Sequence, residues 1–293
     1  MHSYLKSIGF TKEKTKREIK KLVNEVIEEA DQSQVVSSSS GEEFVEYRKC
    51  YGEGFGIIVH GFMNDKNKFE TEYYFPYLEG SHVQPNEEIV IEKHISNTSY
   101  AGACDDLRLG VSLIFYLQNS LEYIKIENAG KKMKSVQPVK FSALSLQGTI
   151  LFPINKTERD IKRSKVAIKN RNTLIEAARK GDEEAMETLT IEDLDTYTKI
   201  SRRILKEDVF SIVDSSFMPY GIECDQYTVI GNIVDVIELK NNSTEEELYK
   251  LSIECNDFVF NVLINKDSLL GEPEIGRRFK GNIWMQGNIS FDE

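Results

Sequence analysis

The chain has 293 residues, 40% of them hydrophobic, with 13 Tyr and 15 Phe, which excludes a disordered protein and exceeds the roughly 100–200 residues of one domain. Its formal net charge of -11 sets long-range electrostatics against nucleic acid and anionic membranes. No stretch approaches the ~20 apolar residues of a membrane span, and the opening Met1–Phe10 lacks the form of a signal peptide. The expectation is a cytoplasmic protein without membrane partners.

In chain order, Thr11 is placed to cap a helix in which Ile19, Leu22, Val23, Val26 and Ile27 form one apolar stripe ending near Ala30. After the polar loop Ser37–Gly41, the period becomes strand-like. The runs 43–51, 55–63 and 68–77 read as an antiparallel meander. Residues 89–95, 107–117 and 139–152 add strands, with 121–127 ambiguous. Residues 1–153 thus form an α+β unit.

Residues 154–225 read as a helical connector. Lys156 to Lys180 is one long helix with nine Lys/Arg against three Asp/Glu, stopped by Gly181-Asp182. Residues 182–195 carry seven acids and no base. Thr190-Ile-Glu-Asp193 has the form of a capping box and predicts a further helix to about Leu205.

Residues 226–293 are the most regular part. Tyr227–Leu239 is a long strand in which Gly231 allows sharp coiling, 248–255 and 258–264 form a hairpin about Asn256-Asp257, and 279–285 and 288–291 are a last pair. This order predicts an OB-like β-barrel. The fold class is α+β: an antiparallel sheet with an N-terminal helix, a helical connector and a C-terminal OB-like β-barrel. The barrel carries six Lys/Arg against twelve Asp/Glu, which disfavours oligonucleotide binding.

No motif demands a particular chemistry. Cys50, Cys104, Cys224 and Cys255 are too dispersed for a zinc site and read as small apolar side chains. The glycines at 52, 54 and 56 and Val166-Ala-Ile-Lys169 imitate kinase motifs in an order that no kinase permits. His60-Gly61 resembles a hydrolase oxyanion segment without its serine elbow. His60, His82 and His94 lack metal-ligand spacing, so neither a metal nor another cofactor is expected.

Asp105, Asp106 and Arg108 form a candidate polar site, read either as a functional carboxylate–arginine set or as a capped turn. The same two readings apply to Tyr220–Asp225, just before the barrel. Arg277, Arg278, Lys280 and Trp284 form a candidate contact surface.

The segments His2–Phe10, Asp105–Gln118, Phe217–Tyr227 and Gly276–Gly287 together resemble a clostridial (Firmicutes) family known only as a domain of unknown function. The resemblance spans the whole chain, implies a bacterial cytoplasmic protein and assigns no residue a role. The favoured function is a non-catalytic protein-interaction or regulatory module. The alternative is nucleic-acid binding through Arg163, Lys165, Lys169 and Arg171 on the basic helix, together with the barrel. A third reading is an enzyme built on Asp105, Asp106 and Arg108.

Overall fold

The computed structural model describes residues 3–12, 15–37, 43–64, 66, 68–94, 98–106, 108–109, 111–130, 134, 136–154 and 158–291. A 3-10 turn, Ser3–Ile8, precedes α1 (Lys16–Glu28). The N-cap of α1 is Thr15, four residues beyond Thr11, because Glu18 stands three residues further on and completes a reciprocal capping box. The Thr15 amide donates to Glu18 Oε2 at 2.9 Å, and the Glu18 amide donates to Thr15 Oγ1 at 3.2 Å. Thr11 instead bonds Glu246, 235 residues away.

Strands β1 (Gln32–Ser37), β2 (Glu43–Gly52), β3 (Phe55–Met63) and β4 (Phe69–Leu78) form a four-stranded antiparallel sheet in sequence order. β2–β4 are the predicted meander. β1 escapes the sequence pattern because only Val36 on it is buried. The α1 stripe Ile19, Leu22, Val23 and Val26 is buried in one cluster with Ile57 and Val59 of β3.

The second sheet comprises β5 (Val83–Lys93), β6 (Tyr100–Asp106), β7 (Val111–Leu117), β8 (Val136–Leu151), β9 (Ser216–Pro219), β10 (Gln226–Lys240), β11 (Glu247–Cys255), β12 (Phe258–Asn265), β13 (Leu269–Leu270) and β14 (Arg278–Ile289). The ambiguous 121–127 segment is helix α2 (Ser120–Asn128). The predicted pair of final strands is a single strand, β14, whose pairing with β8 continues through Gln286, Gly287 and Asn288.

The pairings close two cycles. One runs β10–β11–β12–β8–β14 and back to β10, and the other runs β5–β6–β7–β14–β8 and back to β5. Each has one parallel contact, β12 with β8 in the first and β7 with β14 in the second. β8 and β14, at 16 and 12 residues, belong to both cycles. Segment 226–293 therefore takes a strand of its cycle from within residues 1–153. The architecture is mixed α+β, mostly strand, with predominantly antiparallel sheets.

The two faces of these strands feed different cores. Phe115, Phe141, Met285, Phe258 and Phe260 pack inside the cycles, whereas Tyr116, Leu144, Leu263 and Trp284 face outward, against α1, the N-terminal turn and the first sheet. Gly231 lies two residues before the register shift of β10, which falls between Ile233 and Asp235. It permits a close approach: a Cβ there would lie 2.5 Å from Ile253 Cγ2 and 2.6 Å from Cys255 Sγ.

The connector holds α3 (Glu158–Arg179), α4 (Glu183–Ile204) and α5 (Val209–Ile212). The helix break expected at Thr190 is absent. Asp182 caps α4 by accepting from the Ala185 amide at 3.0 Å, and Thr190 Oγ1 donates back to the Met186 carbonyl within a continuous helix.

Candidate functional site

The alternation of β6 separates Asp105 from Asp106, the first exposed and the second 3% exposed. Arg108 Nε reaches both Asp106 oxygens, at 3.0 and 3.1 Å, and Nη1 donates to Gln84 Oε1 at 2.9 Å. The guanidinium also lies 5.2 Å from the Phe258 ring centre. Asp106 and Arg108 thus form one bidentate pair linking the β6–β7 turn to β5 and β12. Asp105 points elsewhere, to Ser112 and to Arg179 Nη1 at 3.3 Å.

The strip Arg277, Arg278, Lys280 and Trp284 is divided among separate environments. Arg278, only 3% exposed, donates to three backbone carbonyls, those of Phe152 at 3.0 Å, Val213 at 2.6 Å and Phe210 at 2.6 Å. Burial lowers its pKa, opposed by the charge of Asp214. Lys280 Nζ sits 4.1 Å from the Phe210 ring centre. Arg277 pairs with Glu274 at 2.7 Å. On the basic helix, Arg171 pairs with Asp193 at 2.8 Å across the α3–α4 turn, while the side chains of Arg163 and Lys165 lie outside the described residues. Lys169 is exposed.

Trp284 leads to a different site. Its outward ring is 5.3 Å from Tyr4 and 5.2 Å from Tyr116, centre to centre, and it is 4% exposed. Its indole Nε1 donates to Asp225 Oδ2 at 2.7 Å. Asp225 ends the loop between β9 and β10, where Gly221 at φ +75° makes the turn. The Asp225 carbonyl accepts from the Met285 amide at 2.9 Å, fixing the loop to β14.

These groups line a cleft with about 590 Å³ of space, whose walls also include Ser3, His94, Ser99, Ile222, Glu223 and Cys224. Its size suits a small organic molecule. Its field is negative. Burial raises the Asp225 pKa above its ordinary 3.8, with the Trp284 hydrogen bond opposing that rise. Burial, followed by the charges of Asp225 and Glu223, pushes the Tyr4 phenol far up. Among the lining residues, only His94 can carry positive charge.

Behind the cleft runs a buried polar file. Glu46, His60 and Tyr73 occupy directly paired positions on β2, β3 and β4. His60, fully buried, shares Nε2 with Glu46 Oε2 at 2.8 Å and Nδ1 with the Tyr73 hydroxyl. The Tyr73 hydroxyl donates to the Thr98 carbonyl at 2.8 Å. Tyr73 hydrogen-bonds Tyr116, which in turn bonds Ser99, and both Tyr116 and Ser99 line the cleft. Burial drives the phenols of Tyr73 and Tyr116 well above 10, so both stay neutral. Among the described residues no group of three or more His, Cys, Asp and Glu could hold a metal ion. His82 is spent on Ser252 Oγ at 3.2 Å.

A family model described as a domain of unknown function from E. rectale, DUF3881, matches residues 5–287. The chain belongs to that family. E. rectale is a clostridial Firmicute, in keeping with the resemblance carried by the four sequence segments. No curated protein and no solved structure matches the chain. Among the described residues no helix is long and apolar enough to cross a membrane.

Asp225, at the end of the loop 220–225, and Trp284 are 59 residues apart in sequence, and nothing local joins them. Of the file residues and of Tyr4, Ser99 and Tyr116, only His60 stands out in the sequence, and there as an imitation of other motifs. Tyr4, Glu46, Tyr73, Ser99 and Tyr116 come from four elements and one loop and share neither a motif nor a spacing.

Proposed function

We propose that the protein is a non-catalytic, regulatory binding module whose cleft takes a small organic cation, a protonated amine or guanidinium. The observation that carries this reading is Asp225, a half-buried carboxylate held by the Trp284 indole at the foot of an aromatic-walled cleft. Faces of Trp and Tyr attract cations, and a partly desolvated carboxylate, faced among the described cleft residues by His94 alone as a potential cation, gains from another. The perturbed groups here, Tyr4, Tyr73, Tyr116 and Asp225, are all moved toward their uncharged forms. That is the reverse of what an activated nucleophile requires.

In this reading each closed cycle is an OB-like barrel, and the two share β8 and β14. The strand order supports it: three meandering strands, a short helical turn, then a long fourth strand, with the third strand parallel to the one that closes the ring. Such barrels serve as binding platforms for many ligands.

Nucleic-acid binding is the weaker reading, because Arg278 is spent on backbone carbonyls and Arg171 on Asp193. Calorimetric titration with spermidine, arginine and choline, against citrate and adenosine monophosphate, tests the proposal. Saturable binding of at least one cation is the expected result. Binding of the anions alone would remove it.

A further inference from the structure

A second cleft, of about 520 Å³, opens on the outer face of the β10–β14–β8 ladder. Val229, Phe279 and Ile283 are buried in the core of the cycles, so strand alternation turns Thr228, Lys280 and Asn282 outward. Thr228, Asn282 and Gln147 are directly paired across the three strands, and Lys280 is paired with Thr149 in the next outward row. Ser268, from the 3-10 turn Lys266–Ser268, and Leu270 of β13, which pairs with Thr149, complete the lining.

The donors of this cleft are unanswered. Lys240, Lys266 and Arg277 in the same part of the chain each pair with a glutamate. Lys280 makes no ion pair among the described residues; its ammonium rests on the Phe210 ring, and no carboxylate lines the cleft. The Ser268 hydroxyl is buried without a hydrogen-bond partner among the described residues, a cost that a bound acceptor would remove. Asn282 Oδ1 accepts from Thr228 Oγ1 at 2.8 Å, which leaves the Asn282 amide hydrogens to donate elsewhere. An ammonium flanked by hydroxyl and amide donors complements a phosphoryl group, with its negative charge and three acceptor oxygens. Such a group alone leaves most of the cleft empty. The rest of the lining is largely polar and holds no aromatic ring, so it offers hydrogen bonds to hydroxyl groups and no stacking platform for a nucleobase.

We propose that this cleft binds a sugar phosphate, with Lys280 supplying the charge for the phosphoryl group and Gln147, Ser268 and Asn282 the hydrogen bonds. The site shares no residue with the cleft at Asp225 and does not depend on the cation reading. Calorimetric titration of the full chain with glucose 6-phosphate and ribose 5-phosphate, against glucose, ribose and inorganic phosphate, should show saturable binding of at least one ester. That ester should bind at least about tenfold tighter than its parent sugar and than inorganic phosphate. Lys280→Gln should weaken its binding about tenfold or more, whereas Asp225→Asn should leave it unchanged. Ser268→Ala removes a buried hydroxyl without a partner, so the free variant should melt no lower than wild type and yet bind the ester less tightly. Binding of neither ester, equal binding of the parent sugar or of inorganic phosphate, an affinity indifferent to Lys280→Gln and Ser268→Ala, or loss of ester binding in Asp225→Asn would each overturn the proposal.

Discussion

The Trp284 indole donates to Asp225 across 2.7 Å, joining β14 to the loop that precedes β10 at a point where their backbones also bond. The carboxylate gains one strong donor and loses most of its water, and burial wins: its pKa is raised. For an acid raised on folding, the associated stability is fully present below the unfolded pKa of about 3.8 and is lost as pH rises through the folded value. Asp225→Asn keeps an acceptor for the indole and removes that cost. Thermal melts at pH 7 should show the variant at least as stable as wild type, with the gap closing near pH 3.

The same substitution separates function from stability. Asp225→Asn should weaken cation binding by about thirtyfold or more, which calorimetry would read directly. In wild type, affinity should fall as pH drops through the raised Asp225 pKa, because the protonated carboxyl no longer attracts a cation. An affinity that is flat across that range would detach the carboxylate from binding.

His60 depends on Glu46 on one side and Tyr73 on the other. Tyr73→Phe leaves a buried ring nitrogen without its partner and should cost about 1–3 kcal/mol in denaturant unfolding. Glu46→Gln should cost a similar amount, and the double variant should show coupling of about 0.5–3 kcal/mol, because both act through one imidazole. Additive losses would mean that the file is not a connected unit.

Arg278 ties β14 to the connector through the Phe210 and Val213 carbonyls and to the end of β8 through the Phe152 carbonyl. Hydrogen bonds from charged donors contribute about 1.5–3 kcal/mol each when measured singly. Arg278→Lys retains the charge but cannot span three acceptors with one ammonium. Limited proteolysis should therefore cut the segment 205–215 faster in Arg278→Lys and fastest in Arg278→Ala.

Much of the second sheet was legible. β10, β11 and β12 lie within two residues of their expected bounds, because alternation and the Asn256-Asp257 turn define them locally. The shared role of β8 was not legible. Its parallel contact with β12 joins Ser142 to Asn261, and no local pattern records a pairing over such a separation. The break expected at Thr190 failed for a related reason: a capping box is one use of that sequence, and a threonine inside a helix can equally bond the carbonyl four residues back.

Sharing of β8 also has a physical consequence. A fragment of residues 226–293 lacks one strand of its cycle and should remain unfolded by circular dichroism, while adding a peptide of residues 136–152 should restore strand signal. Independent folding of the fragment would show that β8 is dispensable to that ring.

Trp284 is the single tryptophan of the chain, so its fluorescence reports on the cleft alone. Titration with spermidine, arginine and choline should give a saturable change in Trp284 emission for at least one of them, absent in Asp225→Asn and weakened at low pH. An emission that stays constant for every cation, or that responds equally in Asp225→Asn, would contradict the assignment of this cleft as a cation site.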